Sequence, residues 1–246
     1  MKYFVTLSYC GRAYYGFQRQ KNKVTVQGTI EKVLSSYLGE TTPIKAAGRT
    51  DTGVHAVGQT FCFESNKPLR EEQFLMTMNR LLPRDIYFKS MRQVDDSFDA
   101  RHSCVGKVYE YRFTVLKRNP LWVGLVAHLQ RDDFDFEAFL QGLEPFKGEH
   151  NFRNFTTKPE DVAFFIRHIE RIDASYDKEQ DLVTVTFVGD GFMRYQIRMM
   201  IGTAIRVGLG KLTVEDVRRS LSNEGPRKIV HYKADPEGLY LMEVRY

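Results

Sequence analysis

Residues 46 to 59, AAGRTDTGVHAVGQ, set Arg49, Asp51 and His55 among Gly48, Gly53 and Gly58, and neither a helical nor a strand period explains the arrangement. Glycines at this spacing permit tight turns, so Asp51 has two readings. Its carboxylate can simply accept hydrogen bonds from turn amides, or it can be displayed as a nucleophile or base. Asp51 and His55 together supply only two metal ligands, too few for a site. The common motifs GxxxxGK[ST], HExxH and GxSxG are missing from the chain.

Two further stretches mix cations with aromatics. GRAYYGFQRQKNK puts Arg12, Arg19, Lys21 and Lys23 around Tyr14, Tyr15 and Phe17, a composition in which cations can meet phosphates and rings can stack on bases. The competing reading makes Tyr15 and Phe17 core and the charges a solvated face. DARHSCVGKVYEYRF adds Arg101, His102, Lys107 and Arg112, with Tyr109 and Tyr111 on one face of a strand. On a helix expected from residue 193, Arg194 and Arg198 are neighbours, and Arg198 borders the apolar stripe of Ile197 and Ile201. An arginine there needs a partner, which is a surface carboxylate, a backbone carbonyl or a group in a cleft.

The elements that must position these residues follow from periodicity. KYFVTLSYC alternates Tyr3, Val5, Leu7 and Tyr9; VQGTIEKVLSSYLGE carries Ile30, Val33, Leu34, Tyr37 and Leu38 at helical spacing with Gly39 as the stop. Strands are expected near 42–47 and 55–63. A helix bearing Phe74, Leu75, Met78, Leu81 and Leu82 ends at Pro83, and IYFKSMRQV is a strand. The order β-α-β-β-α-β is that of a ferredoxin-like unit. The second half repeats it less regularly: a strand at KVYEYRFTV, a helix with Phe136, Phe139, Leu140 and Leu143, a hairpin from RIDASYD into LVTVTFV, a helix over 193–208, one capped by Thr213, and a final strand GLYLMEVRY. The expected fold is α+β, two pseudo-repeated halves at 1–104 and 105–246 with the cleft between them as the site. Residues 146–161 are the longest polar irregular segment and a candidate mobile loop.

Composition bounds the partners. The 246 residues are 42% hydrophobic and 27% charged with net charge +5 and pI near 9.0, which fits a globular protein with a polyanionic partner. Cys10, Cys62 and Cys104 are odd in number and far apart, so neither a disulfide framework nor a thiolate zinc site is expected, and a reducing cytosol fits. MKYFVTLSYC lacks the features of a signal peptide, and LWVGLVA is too short to span a bilayer; a cytoplasmic, non-membrane protein is expected.

The stretches YYGFQRQ, GRTDTGVHAVGQ, DARHSCVGKVYEYRF, FMRYQIRMMIG and GLYL, in this order, resemble the tRNA pseudouridine synthase A family, the RTDxGVHA core being the most specific part. The resemblance implies a pseudouridine synthase fold of two ferredoxin-like halves with a mixed, mainly antiparallel sheet and a central catalytic cleft. It implies isomerisation of uridine at positions 38, 39 and 40 of the tRNA anticodon stem-loop by a homodimer without metal or cofactor. The family aspartate falls on Asp51, its tyrosine on Tyr109, its arginine on Arg198, its leucine on Leu239, and the arginine before the aspartate on Arg49. Arg12, Arg19 and Lys21 are expected to bind RNA. Two departures stand out: Asp235 precedes Pro236 where many members have alanine, and Phe17 stands where tryptophan is common. Two other classes compete, an RNA-binding module without catalysis and a metal-dependent nucleotide hydrolase using Asp51 and His55.

Overall fold

The computed structural model describes residues 1–158, 164–222 and 224–246. By contacts the chain forms two units, Met1–Val105 with Tyr240–Tyr246, and Gly106–Leu239. The sequence boundary counts 105–246 as one half; the contacts return Tyr240–Tyr246 to the first unit, because that strand pairs in parallel with the one carrying His55, Tyr240 opposite His55.

The first unit has strands β1 (Lys2–Tyr9), β2 (Lys45–Ala46), β3 (His55–Glu64) and β4 (Ile86–Val94), and helices α1 (Val26–Leu38) and α2 (Glu71–Leu81). β1 lies antiparallel between β3 and β4, with Val5 opposite both Phe61 and Met91; β2 pairs antiparallel with β3. The observed order is the expected β-α-β-β-α-β. Thr25 caps α1, its hydroxyl accepting the Gly28 N–H at 3.2 Å, and Gly39 ends it at φ +75°. Val26, Ile30, Leu34 and Leu38 form its buried stripe. In α2 the buried residues are Phe74 and Met78, and Leu82 just past the helix; Leu81, expected in the stripe, is exposed. Spacing of four continues from Phe74 through Met78 to Leu82, which turns Leu81 outward. Phe61, Phe63, Phe74 and Phe88 form the aromatic centre, Phe63 stacking on Phe74 at 5.5 Å. Phe4 breaks the alternation of β1: it is buried on the second face by edge contacts with Phe98 and Tyr246.

The second unit has β5 (Gly106–Thr114), β6 (Ala127–His128), α3 (Phe136–Leu143), β7 (Gly148–Asn151), β8 (Ile166–Asp177), β9 (Leu182–Gly189), α4 (Gln196–Gly208) and α5 (Val214–Ser222); β10 (Leu239–Arg245) begins at its last residue. Its sheet runs β5-β9-β8-β7, all antiparallel, with β6 added in parallel to β5. Each unit is thus α+β with a mixed, mainly antiparallel sheet, as expected. Gly142 lets α3 approach α4, since a Cβ there would stand 2.9 Å from Val207. Thr213 caps α5 as expected, accepting from the Asp216 N–H.

Two expectations change. α4 starts at Gln196 and not at 193, because Tyr195 holds the left-handed conformation at φ +66°. The candidate loop 146–161 is structured where it is described: β7 pairs with β8, and Phe146, Phe152 and Phe155 are fully buried. Arg227 donates to the carbonyls of Arg153, Thr156 and Lys158, tying this segment down. Residues 159–161 of that candidate loop lie outside the described residues. Among the described residues, no helix is long and apolar enough to cross a membrane.

Candidate active site

Asp51 stands on a turn in which the Val54 N–H donates to the Asp51 carbonyl at 3.1 Å and Gly53 takes φ +79°. The turn is fixed on both flanks. On one side Thr50 is buried; its hydroxyl meets the Tyr9 phenol at 2.8 Å and its carbonyl accepts the Phe17 N–H at 3.1 Å. On the other side His55 is buried, its Nδ1 accepts the Gly11 N–H at 3.1 Å, and its ring stacks on Tyr240 at 4.6 Å. Glycine is required where the 11–17 segment meets this turn: a Cβ on Gly11 would lie 2.0 Å from the Val54 carbonyl, and one on Gly16 (φ +83°) 2.9 Å from that of Thr50. Asp51 itself is half-buried between these anchors, and Arg49 is exposed on the same turn. His55 accepting from Gly11 fits a loop-shaping role. Burial and the bond to Thr50 keep opposing influences on the Tyr9 phenol; burial dominates and raises its pKa, so it stays a neutral hydrogen-bonding anchor.

The structure divides the GRAYYGFQRQKNK stretch between the two readings. Tyr14 and Phe17 are core, with the Tyr14 hydroxyl donating to Asp85 at 2.7 Å. Tyr15 is 48% exposed, and Lys23 Nζ sits 4.2 Å from its ring centre. Arg12 and Lys21 are exposed, while Arg19 pairs with Glu31 at 3.1 Å. The backbone of this segment is joined to the Asp51 turn through Gly16 and Phe17, so its exposed cations and the carboxylate share one scaffold.

In the second unit, Tyr109 on β5 is buried with its ring edge-on to Phe192 at 5.3 Å, and its pairing partner on β9 is Phe187. Two residues along, Tyr111 is 1% exposed and donates its hydroxyl to the Asp235 carbonyl at 2.9 Å. Arg198 is buried on α4. Its Nε donates to the Ala234 carbonyl at 2.8 Å, while the Ala234 N–H donates back to the Arg198 carbonyl at 2.9 Å. A backbone carbonyl is therefore one of its partners. Arg198 and Tyr111 are linked through the 234–235 backbone, and the Arg198 charge partly offsets the burial that raises the Tyr111 pKa. Leu239 is buried behind Gly238, where a Cβ would stand 2.5 Å from the Arg112 carbonyl. Gln196 is fully buried and accepts the Met193 N–H at 2.9 Å, fixing the entry to α4.

Periodicity did not reveal the anchoring roles of Tyr9, Thr50 and Tyr240, the Gln196 side chain that holds the Met193 N–H, or Tyr195. The Tyr195 ring is approached by three cations: Arg194 at 4.6 Å, Arg198 at 5.5 Å and Lys233 at 4.3 Å. Only the pair at four-residue spacing left a local signal. Among the described residues, no group of three or more His, Cys, Asp or Glu is gathered as a metal site would need.

Comparison with known proteins adds a family. The model of the family described as tRNA pseudouridine synthase matches residues 6–103 and 143–246. A protein of Geobacillus sp. (strain WCH70), named tRNA pseudouridine synthase A, is 34% identical over 242 residues, covering 98% of this chain and 96% of the relative. Proteins of the same name from Acetivibrio thermocellus and Listeria monocytogenes serotype 4a are each 34% identical, over 98% and 100% of this chain and 97% and 99% of their own.

Proposed function

The chain belongs to the tRNA pseudouridine synthase family, an isomerase acting on tRNA uridine, and on that premise we propose that it makes pseudouridine at positions 38, 39 and 40 of the anticodon stem-loop with Asp51 as the essential carboxylate. It works without cofactor or metal, as a homodimer. The observation that carries the assignment of Asp51 is its setting: a half-buried carboxylate on a turn held by buried Thr50 on one flank and buried His55 on the other. A side chain so placed keeps its direction without being sealed from a substrate.

The reaction breaks the C1'-N1 glycosidic bond, turns the uracil and joins C1' to C5; C5 loses one proton and N1 gains one. A carboxylate suits it as a nucleophile at C1' or C6, or as a base at the sugar, and each route needs Asp51 ionised. The Arg198 guanidinium favours negative charge on the reacting groups. Tyr109 offers a ring to the uracil and a hydroxyl for the C5 proton. Leu239 supplies an apolar wall. Reaching a stacked uridine requires turning it out of the stem at a cost of about a few kcal/mol, which phosphate contacts from Arg12, Arg19 and Lys21 offset, with Arg49 near the vacated position.

The test is tritium release from tRNA carrying 5-tritiated uridine. The parent releases tritium; Asp51→Asn binds tRNA and releases none above background. Release at the parental rate by a binding-competent Asp51→Asn rules out the essential carboxylate, and release confined to uridines outside 38–40 rules out the assigned positions.

A further inference from the structure

We propose that a pocket at the C-terminal end of α4 is a second anionic subsite, in which Arg206 and Lys211 hold a backbone phosphate of the tRNA, apart from the residues assigned to the reaction. The proposal rests on the tRNA reading above.

The pocket is about 320 Å³ and lies wholly within the second unit; its walls include His128, Arg206, Lys211, Tyr232, Lys233 and Asp235. Asp235 is the one carboxylate among the lining residues, against three cations that make no ion pair among the described residues: Arg206, Lys211 and Lys233. Arg131, also on the wall, is already committed to Asp133. The pocket therefore carries an excess of positive charge with hydrogen-bond donors still to place.

Its construction follows from a ridge on α4. Arg198, Gly202 and Arg206 are spaced by four, so they run along one side of the helix. Gly202 empties the ridge in its middle, and there the 232–233 backbone crosses so closely that a Cβ would stand 2.6 Å from the Tyr232 carbonyl oxygen. The crossing gives its two side chains to opposite ends of the ridge. Lys233 goes to Tyr195 at 4.3 Å, and Tyr232 goes beneath Arg206 at 4.9 Å. A guanidinium stacked on a ring keeps its in-plane donors for an anion. The Lys211 N–H bonds to the Arg206 carbonyl at 2.9 Å, which brings the second cation beside the first. Along the helix, Arg206 lies about 12 Å from Arg198, two turns beyond it.

A cation in the last turn also offsets the helix dipole. Arg206 alone would do that; a walled pocket with a further lysine, Lys211, and an aromatic floor is not needed for it. A phosphodiester matches the site, because with Lys233 turned to Tyr195 its single charge balances the excess of Arg206 and Lys211 over Asp235, while its ribose packs against Tyr232 and Ile205.

The experiment measures tRNA affinity of the full chain against salt concentration. Arg206→Gln combined with Lys211→Gln removes the neutralisation of one phosphate, so the slope of log K against log salt becomes shallower by about 0.7 to 0.9. Arg206→Lys with Lys211→Arg keeps the parental slope. Lys211 is exposed, so Lys211→Gln alone folds normally and repeats the test at half the size. A parent that releases tritium from tRNA, with an unchanged slope in Lys211→Gln and in the folded double variant, overturns the subsite and leaves the function standing. A parent that neither binds tRNA nor releases tritium overturns both.

Discussion

Arg198 is gripped twice by one residue, through its own Nε and through its carbonyl, both on Ala234. That double tie sets the direction of a buried guanidinium whose other face lies 5.5 Å from Tyr195. Methionine keeps an unbranched apolar stem at this buried position and removes the charge. Arg198→Met is expected to lower turnover by about 100-fold or more, as loss of a charge-stabilising donor does, with tRNA affinity changed only a few-fold. Single-turnover rates beside binding isotherms measure the split, and parental turnover would remove Arg198 from the reaction. The need of this arginine for a partner is legible in its place beside Ile197 and Ile201. Its partner is not, since Ala234 lies far along the chain and a backbone carbonyl has no residue type. The same holds for Asp51: its motif is conspicuous, but Tyr9 and Tyr240, which steady its neighbours, look in the sequence like ordinary strand residues.

The elements best read from sequence are those with a full period, such as α1, α2, β1 and β9; those set by a single backbone angle are not. Tyr195 delays α4 by adopting φ +66° with no glycine to announce it. Asp181 does the same at the turn between β8 and β9, at φ +57°. Its carboxylate accepts the N–H groups of Leu116 and Lys117 at 2.7 and 2.6 Å and the Tyr176 hydroxyl at 2.7 Å. Burial works to raise its pKa, but the bonds from Lys117, Tyr176 and Leu116 outweigh it and hold the pKa below the ordinary aspartate value. A lowered pKa stabilises the fold above the unfolded value of about 3.9, and that contribution is lost as pH falls from there through the folded value. Asp181→Ala strands two amides and strains the turn, so a loss of about 2 to 4 kcal/mol in urea unfolding at neutral pH is expected. The variant should also lose the Asp181 share of the parental fall in stability below about pH 4, so its stability falls less steeply there. An unchanged midpoint would mean that water takes over both amides.

At the scale of the whole chain, the first unit is not continuous in sequence: it is left after Val105 and rejoined at Tyr240. Nothing in the alternation of GLYLMEVRY says which strand it joins, because apolar periodicity fixes a face and not a neighbour. The pairing chosen, Tyr240 opposite His55 and Leu241 opposite Ala56, places the last strand directly beside the residues that follow Asp51. Tyr246 anchors its far end, its hydroxyl donating to the Ala100 carbonyl at 2.8 Å and its ring packing edge-on against Phe4. Late-chain residues thus support the turn of an early carboxylate, and Tyr240 couples the stability of the unit to the reaction. Tyr240→Ala removes the ring stacked on His55 and leaves a void in a buried contact, with an expected loss of about 3 to 5 kcal/mol in stability. If the stack also steadies the turn, turnover of the folded fraction falls by about 10-fold or more through misplacement of Asp51. Tyr240→Phe keeps the ring and with it the stack on His55. Full turnover per folded molecule in Tyr240→Ala would separate the two roles and make the stack a matter of folding alone.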